Sequence, residues 1–100
     1  MNTEYLNTIT KLLHDFVQSK FSSSVLEITG PTKEGMSYRW RFKSTRYKEV
    51  TILLVTKKRF WGKPTAEHFE VYGFDQTKQL GPDLEELQAF LEQSNLEIAS

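Results

Sequence analysis

The sequence contains no cysteine among its 100 residues. This absence excludes disulfides, thiolate metal sites and thiol catalysis. A chain without cysteine is also typical of a reducing compartment, so we expect a cytoplasmic protein.

Long hydrophobic runs and standard chemical motifs are also missing. No apolar stretch approaches the roughly 18 residues that a membrane-spanning helix needs, and residues 1–4 do not begin a secretory signal. The sequence has no glycine-rich phosphate loop, no nucleophile elbow and no zinc-ligand spacing. His68 and Glu70 share one face of a predicted strand, but two ligands do not make a zinc site. We therefore predict no membrane association, no cofactor, no metal and no enzymatic activity.

The net charge is zero, but the charges are unevenly distributed along the chain. Residues 33–64 carry ten basic and two acidic side chains, a net charge of +8. Residues 65–100 carry one basic and eight acidic side chains, a net charge of −7. A basic middle indicates an anionic partner, unless the acidic end of the same molecule neutralises it.

Two amphipathic helices are predicted, one at each end of the chain. The first has apolar residues three or four positions apart, at Tyr5, Leu6, Ile9, Leu12, Leu13, Phe16 and Val17. The second opens at Gly81-Pro82, with the proline as the first helical residue, and ends near Asn95. Its apolar stripe is Leu84, Leu87, Phe90 and Leu91.

Four strands are predicted between the helices, at residues 25–29, 36–43, 47–56 and 66–74. Gly30-Pro31 is expected to end the first, and residues 75–79 form a polar connection. The connections between the strands are too short for parallel crossovers, which predicts an antiparallel meander. We therefore predict one α+β domain over residues 1–100, with the element order α-β-β-β-β-α. Residues 96–100 are expected to form a frayed tail. The third strand is apolar on both sides, so we expect cover on both faces, from a helix or a second copy of the chain.

The second strand alternates between rings and cations. Tyr38, Trp40 and Phe42 lie on one side, and Arg39, Arg41 and Lys43 lie on the other. The rings are core residues in one interpretation and stacking platforms for bases in the other. The cations form either an ordinary solvated surface or an electrostatic binding face.

The loop that follows the third strand is a second candidate site. It holds Lys57, Lys58, Arg59, Phe60, Trp61 and Lys63. In a functional interpretation one ring stacks on a base or enters a partner's pocket while the cations meet phosphates or carboxylates. In the alternative, the loop folds back and Trp61 caps the core.

These patterns favour a small binding module over an enzyme. The first hypothesis is that the cationic strand face and the Phe60/Trp61 loop bind nucleic acid or another polyanion. The alternative is a protein-interaction module or homodimer that pairs its basic middle with an acidic protein surface.

Overall fold

The computed structural model describes residues 3–20, 26–58, 62, 64–75 and 78–98. Within these ranges the elements are helix α1 (Thr3–Lys20), strands β1 (Glu27–Glu34), β2 (Ser37–Lys43), β3 (Val50–Lys57), β4 (Thr65–Tyr72) and β5 (Lys78–Leu80), and helix α2 (Leu84–Gln93). The strands form one antiparallel sheet whose spatial order follows the chain order. The predicted α+β class and meander are confirmed, with five strands instead of four.

The first strand is longer than predicted. Gly30-Pro31, expected to end it, lies inside β1 at a bulge between Thr29 and Thr32, and its peptide bond is cis. A proline is tolerated there because β1 is an edge strand and a bulged residue needs no ladder hydrogen bond. Gly30 has φ of +115°, and a Cβ on it would lie 2.5 Å from the main-chain oxygen of Arg39, so a side chain would not fit.

The fifth strand replaces part of the predicted polar connection. Gln79 pairs with Glu70 and Leu80 pairs with Phe69, and the side chain of Leu80 is buried. Three residues are too short to show the alternation from which strands are recognised in a sequence. The polar character of Lys78 and Gln79 reflects their exposed position at the sheet edge.

The second helix begins later than predicted. Its N-cap is Asp83, whose side chain accepts a hydrogen bond from the main-chain nitrogen of Glu85, and Pro82 therefore precedes the cap. An aspartate satisfies the free N–H groups of a first turn, which a proline cannot do. After this helix the chain rejoins the sheet, because Leu96 bridges to Phe74 and Ile98 bridges to Tyr47.

Both helices pack on the same face of the sheet. The core residues that α1 supplies are Ile9, Leu13, Phe16 and Val17, and those from α2 are Leu87, Phe90 and Leu91. They meet the inward side chains of the strands, among them Trp40, Phe42, Ile52, Leu54, Phe69 and Val71. Trp40 is fully buried and its Nε1 donates to Thr10 Oγ1 at 2.9 Å. The interpretation of Trp40 and Phe42 as core residues is confirmed.

The two helices run in the same direction. At their N-terminal ends the hydroxyl of Tyr5 donates to the main-chain oxygen of Pro82 at 3.0 Å. At their C-terminal ends Lys20 Nζ donates to the main-chain oxygens of Leu91, Glu92 and Ser94, at 3.2, 3.1 and 2.7 Å. Because a helix C-terminus carries partial negative charge and unpaired carbonyls, this one lysine stabilises the end of α2.

Candidate binding surfaces

The sheet face opposite the helices is covered by no element in the described part of the chain, and we call it the open face. The register places its side chains in rows across the strands. The central row is Thr32, Arg39, Leu53, Glu70 and Gln79, and the next is Thr29, Arg41, Thr51 and Tyr72. A third row is Glu34, Ser37, Val55 and His68. The middle of the face is thus apolar, with β2 on one side and β4 on the other.

The predicted cations of β2 share this face, but two of them have acidic neighbours. Arg39 Nη2 lies 2.9 Å from Glu34 Oε2, and Arg41 Nε lies 3.7 Å from Glu49 Oε1. The exposed side chain of Lys43 has no ion pair among the described residues. The β2 side of the open face therefore carries both signs of charge. Sequence analysis missed Glu34 and Glu49 as partners, although their positions at the strand ends place them across from β2 once the hairpin register is known.

A small cleft lies beside the bulge of β1. It measures about 130 Å³ and is lined by Thr29, Thr32, Glu34, Arg39 and Arg41. Arg39 Nε is buried there without a hydrogen-bond partner in the described ranges. The carboxylate of Glu34 lines the same cleft, so an entering anion would meet like charge as well as guanidinium groups.

The β4 side of the open face carries a hydrogen-bonded cluster. Glu70 Oε2 lies 2.7 Å from His68 Nε2, and Glu70 Oε1 accepts from the hydroxyl of Tyr72 at 2.5 Å. Hydrogen bonds from Tyr72 and then His68 lower the pKa of Glu70, and the bond to this carboxylate raises the pKa of Tyr72. These directions make Glu70 a weaker base and Tyr72 a weaker acid. The cluster is thus better suited to holding a fixed negative charge than to proton transfer.

Other cations lie at one end of the sheet, which we call the hairpin end. The β1–β2 turn and the end of β3 meet there, because the main-chain nitrogen of Thr56 donates to the main-chain oxygen of Met36 at 3.0 Å. Lys33, Lys57 and Lys58 are exposed at this end, and Met36 is 41% exposed. Within the described ranges these three lysines have no ion pair. Exposed carboxylates near this end are Glu34, which ends β1 and pairs with Arg39, and Glu67 near the start of β4.

The remaining predicted site residues, Arg59, Phe60, Trp61 and Lys63, lie outside the described residues. Two further cations of residues 33–64, which we call the basic segment, lie at the opposite end of the sheet. Lys48 Nζ pairs with Glu97 Oε2 at 2.9 Å, and the guanidinium of Arg46 lies 5.8 Å from the ring centre of Tyr47. The fold thus divides the basic segment among the hairpin end, the open face and the far end.

The acidic helix α2 does not cover the open face, because it packs on the other side of the sheet. Asp83 caps its own helix, and Glu86 Oε2 accepts a hydrogen bond from the main-chain nitrogen of Gly81 at 3.2 Å. Among the described residues no ion pair joins α2 to the basic segment. Carboxylates in a first turn are favoured by the helix dipole, which gives this acidity a local structural role.

A groove of about 400 Å³ separates the outer surfaces of the two helices. Lys11, Asp15 and Glu92 line it together with apolar side chains such as Leu12. Its charges are of both signs and indicate no particular ligand class.

Comparison of the chain with protein-family models, with curated proteins and with solved structures gives no significant match. Neither described helix combines the length and apolar character needed to cross a membrane. In the described part of the chain, no three histidine, cysteine, aspartate or glutamate side chains converge as metal ligands.

Proposed function

We propose that the protein is a non-catalytic binding module that holds single-stranded nucleic acid at the hairpin end. The observation that supports this proposal is that Lys33, Lys57 and Lys58 are exposed at one end of the sheet and have no ion pair in the described ranges. Lysines that no carboxylate neutralises release counterions from a phosphate backbone on binding, which is the main source of non-specific affinity.

The hairpin end supports this function better than the open face does. Arg39 and Arg41 each lie beside a carboxylate, so a phosphate at either guanidinium would also meet the like charge of Glu34 or Glu49. The lysines at the hairpin end bear no such cost. Two of them, Lys57 and Lys58, also lead directly into the loop that carries Arg59 and Lys63 in the sequence.

Two rings in that loop distinguish nucleic acid from other polyanions. Phe60 and Trp61 follow Lys58 and Arg59 directly in the sequence. Stacking on an aromatic ring contributes about 1–3 kcal/mol per base and does not depend on base identity. A sulfated polysaccharide offers charge but no bases, so the rings should contribute to binding only of nucleic acid.

The first experiment measures the fluorescence anisotropy of a labelled oligothymidylate over a range of salt concentrations. Lys57→Gln/Lys58→Gln should weaken binding and reduce the slope of log K against log salt by about 1.4, since each phosphate contact of a single strand contributes about 0.7. Lys11→Gln/Lys78→Gln is the matched control, because both lysines are exposed and lie on α1 and β5. Equal losses in the two double variants, or no binding at low salt, would contradict the proposal.

The second experiment compares oligothymidylate with heparin. Trp61→Ala should weaken binding to the oligonucleotide about tenfold, the equivalent of one stacked base, and leave heparin retention unchanged. A parallel loss on both ligands would indicate that the residue supports the loop and does not contact bases.

A further inference from the structure

We propose that the open face is the contact surface of a symmetric homodimer, in which Arg39 of each copy meets Glu70 of the other. The occupant of this face is therefore a second copy of the same chain. The proposal depends on the cross-strand register, the exposure of the face and the signs of its charges.

The apolar middle of the open face is the first argument. Leu53 and Val55 alternate with the buried residues of β3, and both are only partly buried on a face that no described element covers. A strand whose two sides are both apolar is typical of a sheet with cover on both faces. Both helices lie on the other face, so α1 and α2 do not supply this cover.

The placement of charge on either side of β3 is the second argument. In the central row Arg39 on β2 and Glu70 on β4 both pair with Leu53, so they lie on opposite sides of it. Neighbouring strands are about 4.8 Å apart, which puts the two charged residues at similar distances from β3. A two-fold axis along β3 thus relates the positions of two oppositely charged residues, Arg39 and Glu70.

Rotation about that axis brings the opposite charges together. A two-fold axis parallel to β3, lying between two stacked sheets, places β2 of one copy over β4 of the other at the same level along the strands. Arg39 then faces Glu70 twice per dimer, and Arg41 faces the Tyr72 ring, which is 40% exposed and suits a guanidinium. A two-fold axis across the strands would instead place β2 over β2 and bring cations together. The charges therefore select one of the two simple arrangements, with the usual rotation of about 30° between packed sheets.

The groups that would pair can reach beyond their own chain. The guanidinium of Arg39 has five N–H donors, and it is Nη2 that lies 2.9 Å from Glu34 Oε2, so the guanidinium has further donors for a second carboxylate. Glu70 is held in place by His68 and Tyr72, so its carboxylate needs little ordering on association. Preorganised charges lose less entropy when they pair across an interface.

The area of the face sets the expected affinity. Strands β1 to β4 have 7–8 residues each, which at the usual spacings gives a face of about 500 Å² per copy. Two such faces bury about 1,000 Å², which is the lower limit for a specific interface. We therefore expect a reversible dimer that dissociates on dilution.

The symmetric dimer also has a consequence for nucleic-acid binding, which rests on the proposed function. The axis parallel to β3 leaves both hairpin ends on the same end of the dimer. Two sets of lysines would then lie side by side and could bind one nucleic-acid strand together, which increases avidity for long strands but not for short ones.

The test is sedimentation equilibrium of the full chain without nucleic acid, so its outcome does not depend on the binding experiments. The wild-type protein should change with concentration from 11.7 kDa towards twice that mass. Arg39→Glu and Glu70→Arg should each weaken the dimer at least about tenfold, because each places like charges at two symmetric contacts. The double variant Arg39→Glu/Glu70→Arg should restore association to within about threefold, whereas the control Lys11→Glu should change nothing.

Leu53→Lys is the second route if a charge reversal prevents folding. It should abolish the dimer while leaving the far-ultraviolet circular dichroism and the melting temperature of the monomer unchanged, since the residue lies outside the helix-side core. A wild-type mass of 11.7 kDa at every concentration would overturn the proposal. A Leu53→Lys variant that is both monomeric and unfolded would also contradict the proposal, because it would show that the chain's own segments cover this face. A double reversal as dissociated as the single ones would reject the axis.

Discussion

Replacing Thr10 by valine tests a polar contact between α1 and the buried ring of β2. Trp40 is fully buried, and its Nε1–H donates to Thr10 Oγ1 at 2.9 Å. Valine has nearly the shape of threonine and a similar helix propensity, so the change removes the acceptor and little else. The indole N–H would then be buried without a partner.

The expected cost follows from that orphaned donor. A buried donor that loses its acceptor costs about 1–3 kcal/mol, which for a domain of this size lowers the melting temperature by at least about 4 °C. The hydroxyl of Thr10 also donates to the main-chain oxygen of Leu6 at 2.9 Å. If the Trp40 indole is removed, the Thr10 hydroxyl still donates to Leu6. Removing the Thr10 hydroxyl, in contrast, leaves the indole N–H without an acceptor.

The assay is urea unfolding followed by far-ultraviolet circular dichroism, at one fixed protein concentration because association would shift the apparent stability. Thr10→Val should be costly in the wild-type background and cheaper by about 1 kcal/mol or more in a Trp40→Phe background, where the donor is absent. Thr10→Ser, which keeps the hydroxyl, is the control. Equal costs of Thr10→Val in both backgrounds would refute the reasoning.

Two further predictions concern other charged and polar contacts. Lys20→Met should lower the free energy of unfolding in urea by about 1 kcal/mol, because the end of α2 loses a cation that donates to three main-chain oxygens, one of them that of Ser94. An unchanged urea midpoint would exclude this role. Tyr72→Phe should raise the pKa of Glu70 towards the ordinary value of 4.5, as measured by carboxyl NMR titration, because the bond from Tyr72 is the larger cause of its lowering. The lowered pKa contributes stability above pH 4.5 that is lost as the pH falls through the folded-state pKa, so this acid-side loss should shrink in the variant.

Periodic patterns in the sequence predicted the elements that bury a stripe of side chains. The alternation around Trp40 predicted one buried side of a strand, and the helical spacing around Leu13 predicted one buried side of a helix. Both residues are fully buried in the fold. The position of Gly30-Pro31 was misinterpreted because the same two residues suit a turn and an edge-strand bulge. Whether a turn or a bulge forms depends on whether the neighbouring strand extends past this point and pairs with the residues that follow. That information lies in residues distant in sequence.

The charges were harder to predict than the core. Arg39, Arg41 and Lys43 do share one face, as the alternation required. The pairing of Arg39 with Glu34 and of Arg41 with Glu49 depends on hairpin register, which a single sequence does not specify. The division of the basic segment among three regions follows from the meander, which reverses the chain every few residues and sends successive cations to opposite ends of the sheet.

A net charge of zero is compatible with binding a polyanion because electrostatic attraction is local at physiological salt. Charges more than about 8–10 Å apart are largely screened, so a phosphate responds to the nearest side chains and not to the total. At the hairpin end those side chains are Lys33, Lys57 and Lys58 together with Glu67 and with Glu34, which pairs with Arg39. The carboxylates of Asp83 and Glu86 bond to main-chain groups around the start of α2. The same locality lets Arg39 and Glu70 lie on opposite sides of β3 on the open face without pairing within one chain. One neutral chain can therefore present a cationic end to a phosphate backbone and a self-complementary face to its own copy.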